Sequence, residues 1–128
     1  MNDATATALV TGGARRIGRA IVEDLVAHGF AVAIHSNAST VEAGQLADSI
    51  NRAGGRAVAL VADLTDMAAT DGLVTAAEAA LGPVALLVNN ASVFTDDSVQ
   101  DFDWSGWDRH FALHVKAPAL LARRFAEA

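Results

Sequence analysis

The residues with the clearest chemical potential form a glycine-rich segment near the amino terminus, Thr11-Gly12-Gly13-Ala14-Arg15-Arg16-Ile17-Gly18. The segment follows an apolar run typical of a strand (residues 6–10) and leads into one typical of a helix (residues 17–28). At such a junction the first helical turn presents backbone N–H groups and the positive end of the helix dipole. Gly12 would allow the tight turn, and Gly18 would allow a close approach of helix to strand. This combination predicts a site for the pyrophosphate of a dinucleotide.

The two arginines of this segment support an anionic ligand. Cations are disfavoured at a helix N-terminus, yet Arg15 and Arg16 lie there, and no carboxylate precedes Glu23 in the helix. A bound phosphate would offset that charge. Two solvated arginines on an ordinary glycine turn are the alternative.

Composition narrows the class of protein. The chain has 128 residues, 52% of them hydrophobic, and a formal net charge of −6, which predicts one domain with a sizeable core and argues against nucleic acid as the main partner. It contains no cysteine, which excludes disulfides and thiolate metal sites. No apolar run is long enough to span a bilayer, and Met1-Asn2-Asp3 lacks the positive charge of a secretory leader. The sequence therefore predicts a soluble, cytoplasmic protein.

The elements that must position the glycine segment alternate between short apolar runs and longer helical ones. Four nearly continuous apolar runs are typical of buried parallel strands: residues 6–10, 31–35, 57–62 and 84–89. Helical patterns follow each run, with no linker or repeat. We expect an α/β fold, a Rossmann doubly wound parallel sheet over residues 1–128, with strand order 3-2-1-4 and helices on both faces. The ligand crevice should open between strands 1 and 4.

Sequence signals also predict the limits of the first two helices. The first should end at Gly29 and bury an apolar face formed by Ile17, Ala20, Ile21 and Leu25. The second should begin with a capping box formed by Ser39 and Glu42 and end before Gly54.

The last two helices are predicted as continuous. The third should follow Thr65 and Asp66, both suited to capping, and stop at Gly82. The fourth should start near Asp103 or Ser105 and run to the end of the chain, with a kink at Pro118.

Two further motifs come after predicted strands and complete a recognisable set. Ala62-Asp63-Leu64 follows the third strand, and Asn89-Asn90-Ala91-Ser92 follows the fourth. Together with the glycine segment they resemble the short-chain dehydrogenase/reductase family, and the resemblance covers the whole chain. It implies a nicotinamide dinucleotide cofactor held by Thr11, Gly12, Gly13, Arg15, Arg16, Ile17, Gly18, His35, Ser36, Asn37, Ser39, Asp63, Leu64, Asn89, Asn90 and Ala91.

The chemistry of these residue types fits that assignment. Asp63 could accept a hydrogen bond from the adenine amino group, and the asparagine side chains could bridge neighbouring strand ends. Ala91 is small enough for a ribose to lie against the backbone. The alternatives are that Asp63 caps the third helix and that the asparagines form an ordinary turn.

The segment after the second strand favours NADPH over NADH. Sites that prefer NAD hold the ribose 2′-hydroxyl with an acid about 20 residues beyond the glycines. Residues 34–39 contain no carboxylate, and Ser36, Asn37 and Ser39 could donate hydrogen bonds to a 2′-phosphate with Arg15 nearby. Ser39 could equally serve only as a helix cap.

Within the family, the chain is similar to pteridine reductases and their dihydropteridine-reducing relatives. Arg16 replaces a usual middle glycine, His35 closes the second strand, and Ser92 precedes Phe94. The likeness implies that Ser92, Phe94 and Arg16 line a pterin site, while Phe94 packed under a loop is the alternative. The same traits suit other short-chain reductases, acting on 3-oxoacyl thioesters or sugars.

The sequence departs from the family pattern in its catalytic residues. His114 stands where the family has a relay asparagine, so it is either a catalytic group or a packed residue on the face of Trp107 and Phe111. The family's serine and Tyr-x-x-x-Lys have no counterpart, since the chain has no tyrosine and Lys116 is its only lysine. We therefore expect the N-terminal half of a longer reductase that is inactive alone.

Other readings of the sequence remain open or find little support. A non-catalytic dinucleotide-binding or sensor module could use the same fold. No metal site is expected, because the histidines (His28, His35, His110, His114) lack ligand spacing. The acids Asp96, Asp97, Asp101 and Asp103 precede the last helix, where its dipole favours them without any catalytic role. The resemblance also implies a small-molecule substrate, no nucleic-acid or membrane partner, and a homotetramer formed through the fourth helix and the helix after it. Trp104, Trp107 and Phe111 would suit that interface, and burial in the core of a monomer is the alternative.

Overall fold

The computed structural model describes residues 5–128, in which strands and helices alternate along the chain. The strands are β1 (Thr7–Val10), β2 (Ala31–Ser36), β3 (Ala57–Val61) and β4 (Val84–Val88). The helices are α1 (Arg16–Ala27), α2 (Thr40–Arg52), α3 (Met67–Asp71), α4 (Leu73–Leu81), α5 (Trp104–Phe111) and α6 (Ala117–Glu127). The prediction that the chain lacks a secretory leader depends on Met1 to Asp3, which lie outside the described residues. No helix among residues 5–128 is long and apolar enough to cross a bilayer.

The four strands form one parallel sheet in the order β3-β2-β1-β4, which confirms the predicted topology. Val10, the last residue of β1, pairs with Ile34 on one side and Val88 on the other. The residues that follow β1 and β4 therefore emerge together at one end of the sheet, where the chain crosses from one face to the other.

Helices cover both faces of the sheet, which explains why the strands read as continuous apolar runs. Alternate residues of β1 and β2 point to opposite sides, so each face has its own core. One core joins α1 and α2 to the sheet around Val10, Val22, Ile34 and Leu46. The other joins α3, α4 and α6 around Leu9, Ala33, Leu73 and Leu121. β1 and β2 are buried along their whole length.

The predicted apolar face of α1 is confirmed for Ile21 and Leu25, which pack against the core, and is wrong for its other two residues. The predicted cap of α2 is wrong. Ile17 is 72% exposed and Ala20 is exposed, whereas Gly18 and Val22 are the buried residues of α1. Close contact with the strand end rotates α1 toward its glycine, and this contact cannot be inferred from hydrophobic spacing. No side-chain hydrogen bond from Ser39 caps α2, so the predicted capping box does not form.

The third and fourth helices are interrupted rather than continuous. Gly72 separates α3 from α4, and Asp66 caps α3 by accepting hydrogen bonds from the amides of Ala68 and Ala69 at 2.9 and 3.3 Å. A π-helical turn, Ala112–Lys116, separates α5 from α6 and places Pro118 in the first turn of α6. Proline is tolerated at that position because the π-helical turn changes the hydrogen-bond register just before it, and the first turn of a helix accepts the fixed φ of proline.

Candidate functional site

A cleft of about 620 Å³ opens where β1, β2 and β4 end. It gathers most of the predicted site residues from distant parts of the sequence: Gly12, Arg15, Arg16, Ile17, Gly18, His35, Ser36, Asn37, Ser39, Asp63, Leu64, Asn90, Ala91 and Ser92. Thr11, Gly13, Asn89, Phe94 and His114 do not line it. Ala14, Ala38, Thr65, Val93, Arg109 and Leu113 line the cleft without having been predicted. Of these, only Thr65 and Arg109 carry polar functional groups; the sequence predicted a capping role for Thr65 and no role for Arg109.

The glycine turn depends on two positions without side chains. Gly12 has φ +63°, in the left-handed region that disfavours other residues. A Cβ on Gly18 would fall on the carbonyl oxygen of Gly12 and would lie 2.6 Å from the side-chain nitrogen of Asn90. The start of α1 is therefore pressed against the turn and against the segment after β4.

Thr11 and Asn90 join the ends of β1 and β4. The buried hydroxyl oxygen of Thr11 accepts hydrogen bonds from the amides of Asn90 and Ala91, both at 3.0 Å. The Asn90 side-chain amide donates to the carbonyl oxygens of Thr11 and Gly12, both at 3.1 Å. The predicted bridging of strand ends by an asparagine is confirmed for Asn90, while Asn89 is exposed and has no such bond in the described structure.

The N-terminus of α1 lacks the groups that usually stabilise a helix start. No side chain caps it, and its first turn contains no acid. Arg15 and Arg16 are both exposed at the cleft, and Arg16 has φ +54°, a left-handed conformation rare for a residue with a side chain. An uncapped, positively charged helix start that faces a cleft fits an anionic group such as a phosphate.

The segment after β2 contains one unexplained polar group. The hydroxyl oxygen of Ser36 is buried and has no hydrogen-bond partner, although Ser36 lines the cleft. Nearby, a side-chain nitrogen of Arg15 lies 3.5 Å from the hydroxyl oxygen of Ser39, and another lies 3.8 Å from a Glu42 carboxylate oxygen. An orphaned hydroxyl in a cleft that an arginine also lines is suited to a ligand oxygen, because buried polar groups are otherwise almost always paired. Glu42 is near enough to compete with such a ligand for Arg15.

Asp63 lies in a turn rather than in a helix cap. Its carboxylate accepts hydrogen bonds from the amide of Thr65 at 2.9 Å and the hydroxyl of Thr65 at 2.7 Å. These two donors lower the pKa of Asp63, so the carboxylate stays ionised as an acceptor. Capping of α3 falls to Asp66 alone, which settles the alternative raised for Asp63 and corrects the capping role predicted for Thr65.

The residues predicted to contact substrate are divided between the cleft and the surface beside it. Ser92 and Arg16 line the cleft, but Phe94 is 84% exposed and is not packed under a loop. His114 is also exposed, on the π-helical turn, where a ring nitrogen accepts a hydrogen bond from the Val93 amide at 3.3 Å. Its ring stands beside that of His110, with centroids 5.4 Å apart. The His114 ring thus holds the backbone between Ser92 and Phe94, an arrangement that spacing alone does not reveal.

Among residues 5–128, no group of three or more histidine or acidic side chains could hold a metal ion.

Comparisons with known proteins agree with this geometry. Residues 6–128 match the sequence profile of the family described as short chain dehydrogenase. The chain is 34% identical over 116 residues to the short-chain dehydrogenase/reductase FrzI of Cladobotryum sp, covering 91% of this chain and 45% of that protein.

Solved structures support the same family, and some of them have a higher sequence identity to this chain. The crystal structure of FolM alternative dihydrofolate reductase 1 from Brucella canis, complexed with NADP, has 52% sequence identity and a TM-score of 0.93, covering 98% of this chain and 50% of that one. A blue fluorescent protein from a metagenomic library, in complex with NADPH, has 33% identity and a TM-score of 0.92, with 96% and 51% coverage. The chain spans about half the length of the relatives it matches.

Proposed function

Because this chain belongs to the short-chain dehydrogenase family, we propose that it forms the cofactor-binding half of an NADPH-dependent reductase. The observation that carries the proposal is the uncapped start of α1, with Arg15 and Arg16 facing a cleft that also contains the orphaned Ser36 hydroxyl. The solved relatives that contain NADP or NADPH support the choice of cofactor.

The chain's own residues would bind and orient the cofactor. The first turn of α1 would face the pyrophosphate, Arg15, Ser36, Asn37 and Ser39 would surround the 2′-phosphate, and Asp63 would accept from the adenine amino group. When bound, NADPH supplies a hydride for a C=O or C=N carbon. The general acid for the substrate oxygen or nitrogen is assigned to residues beyond these 128, since the chain has no tyrosine.

Arg15 should discriminate between the two nicotinamide cofactors. We expect Arg15→Ala to weaken NADP⁺ binding roughly tenfold, because a charge-assisted contact to the 2′-phosphate is lost, and to leave NAD⁺ binding nearly unchanged. Titration of protein fluorescence with each cofactor measures both affinities. Arg19→Ala is the matched control, since Arg19 is an exposed arginine of the same helix that pairs with Glu23 at 3.3 Å. Equal losses of affinity for NADP⁺ and NAD⁺ would contradict the assignment of Arg15 to the 2′-phosphate site.

For the substrate we propose a pterin or a dihydrofolate-like relative. Ser92 and Arg16 share the cleft with the expected cofactor, and the exposed Phe94 ring at its margin could stack on a flat heterocycle. The name of the Brucella canis structure, an alternative dihydrofolate reductase, supports this class.

The test is the oxidation of NADPH by the longer protein that carries this chain, followed at 340 nm with a dihydropterin, a 3-oxoacyl thioester or a sugar as substrate. Turnover with the dihydropterin and its loss in Phe94→Ala are expected. Preference for either other substrate would contradict the pterin assignment, while NADPH binding without any turnover would favour a non-catalytic binding module.

We also propose that the protein assembles as a homotetramer through an aromatic cluster on and before α5. Phe102, Trp104, Trp107 and Phe111 contact one another in edge-on or tilted arrangements with ring centroids 5.3 to 5.9 Å apart, and Trp104 remains 68% exposed. Exposed aromatic patches are typical of interfaces. Light scattering of the longer protein should give the mass of four chains, and Trp104→Glu should lower it; a monomeric mass for the unaltered protein would contradict the assignment.

A further inference from the structure

One buried side chain connects the two segments that flank the cleft. The His35 ring is 1% exposed, and its Nδ1 accepts a hydrogen bond from the amide of Gly12 at 3.0 Å. Its Nε2 lies 2.8 Å from the carbonyl oxygen of Ala62, the residue before Asp63. The backbone carbonyl of His35 also accepts from the amide of Gly13 at 2.9 Å. His35 thus holds two successive amides of the glycine turn and the start of the segment proposed to bind adenine.

These contacts define the protonation state of the ring. The amide of Gly12 can only donate, so Nδ1 must carry a lone pair. The carbonyl of Ala62 can only accept, so Nε2 must carry the proton. Only the neutral ring with its proton on Nε2 makes both bonds. A second proton on Nδ1 would place that N–H directly against the amide N–H of Gly12 in a buried site, and the hydrogen bond between them would be lost.

We propose that His35 is a positioning residue for the cofactor, fixing the glycine turn relative to the adenine segment through its two ring hydrogen bonds. This inference rests on the proposed function, because it assumes that the dinucleotide spans both segments. His35 would not touch the reacting atoms; it would act through Gly12 and Ala62.

Protonation of the His35 ring should break its hydrogen bond to the Gly12 amide and so disconnect the two segments. Burial lowers the pKa of His35, and the hydrogen bond to Ala62 partly opposes that effect. Since the connecting form is the unprotonated one, cofactor affinity should be complete above the pKa of the ring in the folded protein and should fall as the pH drops through it.

The charged groups on the elements packed around the sheet make other contacts and do not take part in the connection. Arg15 and Arg16 stand on the glycine turn, Asp63 follows Ala62, and Glu42 begins the helix on the opposite face. On the face of the sheet that contains His35, Asp66 caps α3, Asp71 pairs with Arg124 at 2.6 Å, and Glu78 accepts from the Val84 amide at 3.0 Å. Arg123 and Glu127 pair at the exposed end of α6.

Two substitutions separate the two hydrogen bonds. In His35→Asn the side-chain oxygen occupies the place of Nδ1 and can still accept from Gly12, but nothing reaches Ala62. In His35→Gln the side-chain nitrogen can reach Ala62, but the acceptor for Gly12 is displaced. His28→Asn is the matched control, because His28 is exposed and its ring contacts only its own helix, at Asp24.

The dissociation constant of NADP⁺ is measured for each protein from about pH 8 to about pH 4.5, that is, across the ordinary pKa of histidine and well to its acid side. At the upper pH we expect His35→Gln and His35→Asn each to bind NADP⁺ roughly tenfold more weakly than the unaltered protein, because each keeps only one of the two hydrogen bonds that connect the segments. Toward the lower pH, the unaltered protein and His28→Asn should lose affinity more steeply than His35→Asn. The 2′-phosphate titrates identically in all four, so the difference between profiles belongs to His35.

Two results would overturn the inference: equal NADP⁺ affinity of His35→Gln and the unaltered protein, or parallel pH profiles for His35→Asn and the unaltered protein. Failure of the unaltered protein to bind NADP⁺ at any pH would instead overturn the proposed cofactor, and the role of His35 with it.

Discussion

Replacing Gly18 by alanine is expected to lower the free energy of unfolding by roughly 3 kcal/mol or more and to abolish NADP⁺ binding. The new methyl group would coincide with the carbonyl oxygen of Gly12 and would come within 2.6 Å of the Asn90 side chain. Neither the turn backbone nor Asn90 has room to move, since Asn90 is held by two hydrogen bonds to that same turn. The start of α1 would have to shift away from the cleft. Urea denaturation and fluorescence titration with NADP⁺ measure the two effects.

Gly44→Ala is the matched control for this substitution. Gly44 lies inside α2, and a Cβ there would meet no atom within 4 Å. Alanine should therefore stabilise the protein by about 0.5–1 kcal/mol through its greater helix propensity, with NADP⁺ affinity unchanged. If both variants behaved alike, the close packing of α1 against the glycine turn would be wrong.

The second large effect is expected from Thr11→Val, which keeps the shape of the side chain and removes its hydroxyl. The amides of Asn90 and Ala91 would both lose their acceptor at the end of the sheet. Unsatisfied buried donors cost about 1–3 kcal/mol each, so we expect a loss of about 2–4 kcal/mol in the free energy of unfolding. The segment of Asn90 to Ser92 would also loosen beside the cleft, and NADP⁺ affinity should fall with stability.

Two controls isolate the role of the hydroxyl as an acceptor. Thr11→Ser keeps the oxygen and should recover most of the stability. Thr70→Val removes a hydroxyl that is equally buried but only donates, to the helical carbonyl oxygen of Asp66 at 2.9 Å, so its cost should be about 1 kcal/mol. A Thr11→Val protein as stable as the unaltered one would show that these amides find other partners.

Local signals were sufficient for the elements and their order. Continuous apolar runs identified all four strands to within one or two residues, because parallel strands covered on both faces must be apolar throughout. Alternation of strands and helices then predicted the order β3-β2-β1-β4, since right-handed crossovers leave few other topologies. The same local signals failed where a helix is interrupted, at Gly72 and at the π-helical turn, because packing against neighbours overrides propensity there.

For the site, residue types and spacing determined which groups gather at the end of the sheet, because the carboxyl ends of neighbouring parallel strands necessarily meet. Only the tertiary structure decided how those groups are used. The Ser36 hydroxyl has no hydrogen-bond partner, and the Asp63 carboxylate accepts hydrogen bonds from Thr65. The Phe94 ring is exposed to solvent. The buried His35 ring makes hydrogen bonds to Gly12 and Ala62. The contacts of His35 join residues far apart in the chain, since Gly12 is 23 positions before it and Ala62 is 27 positions after it. Sequence patterns report the periodicity of one element, whereas hydrogen-bond partners across elements follow from the geometry of packing.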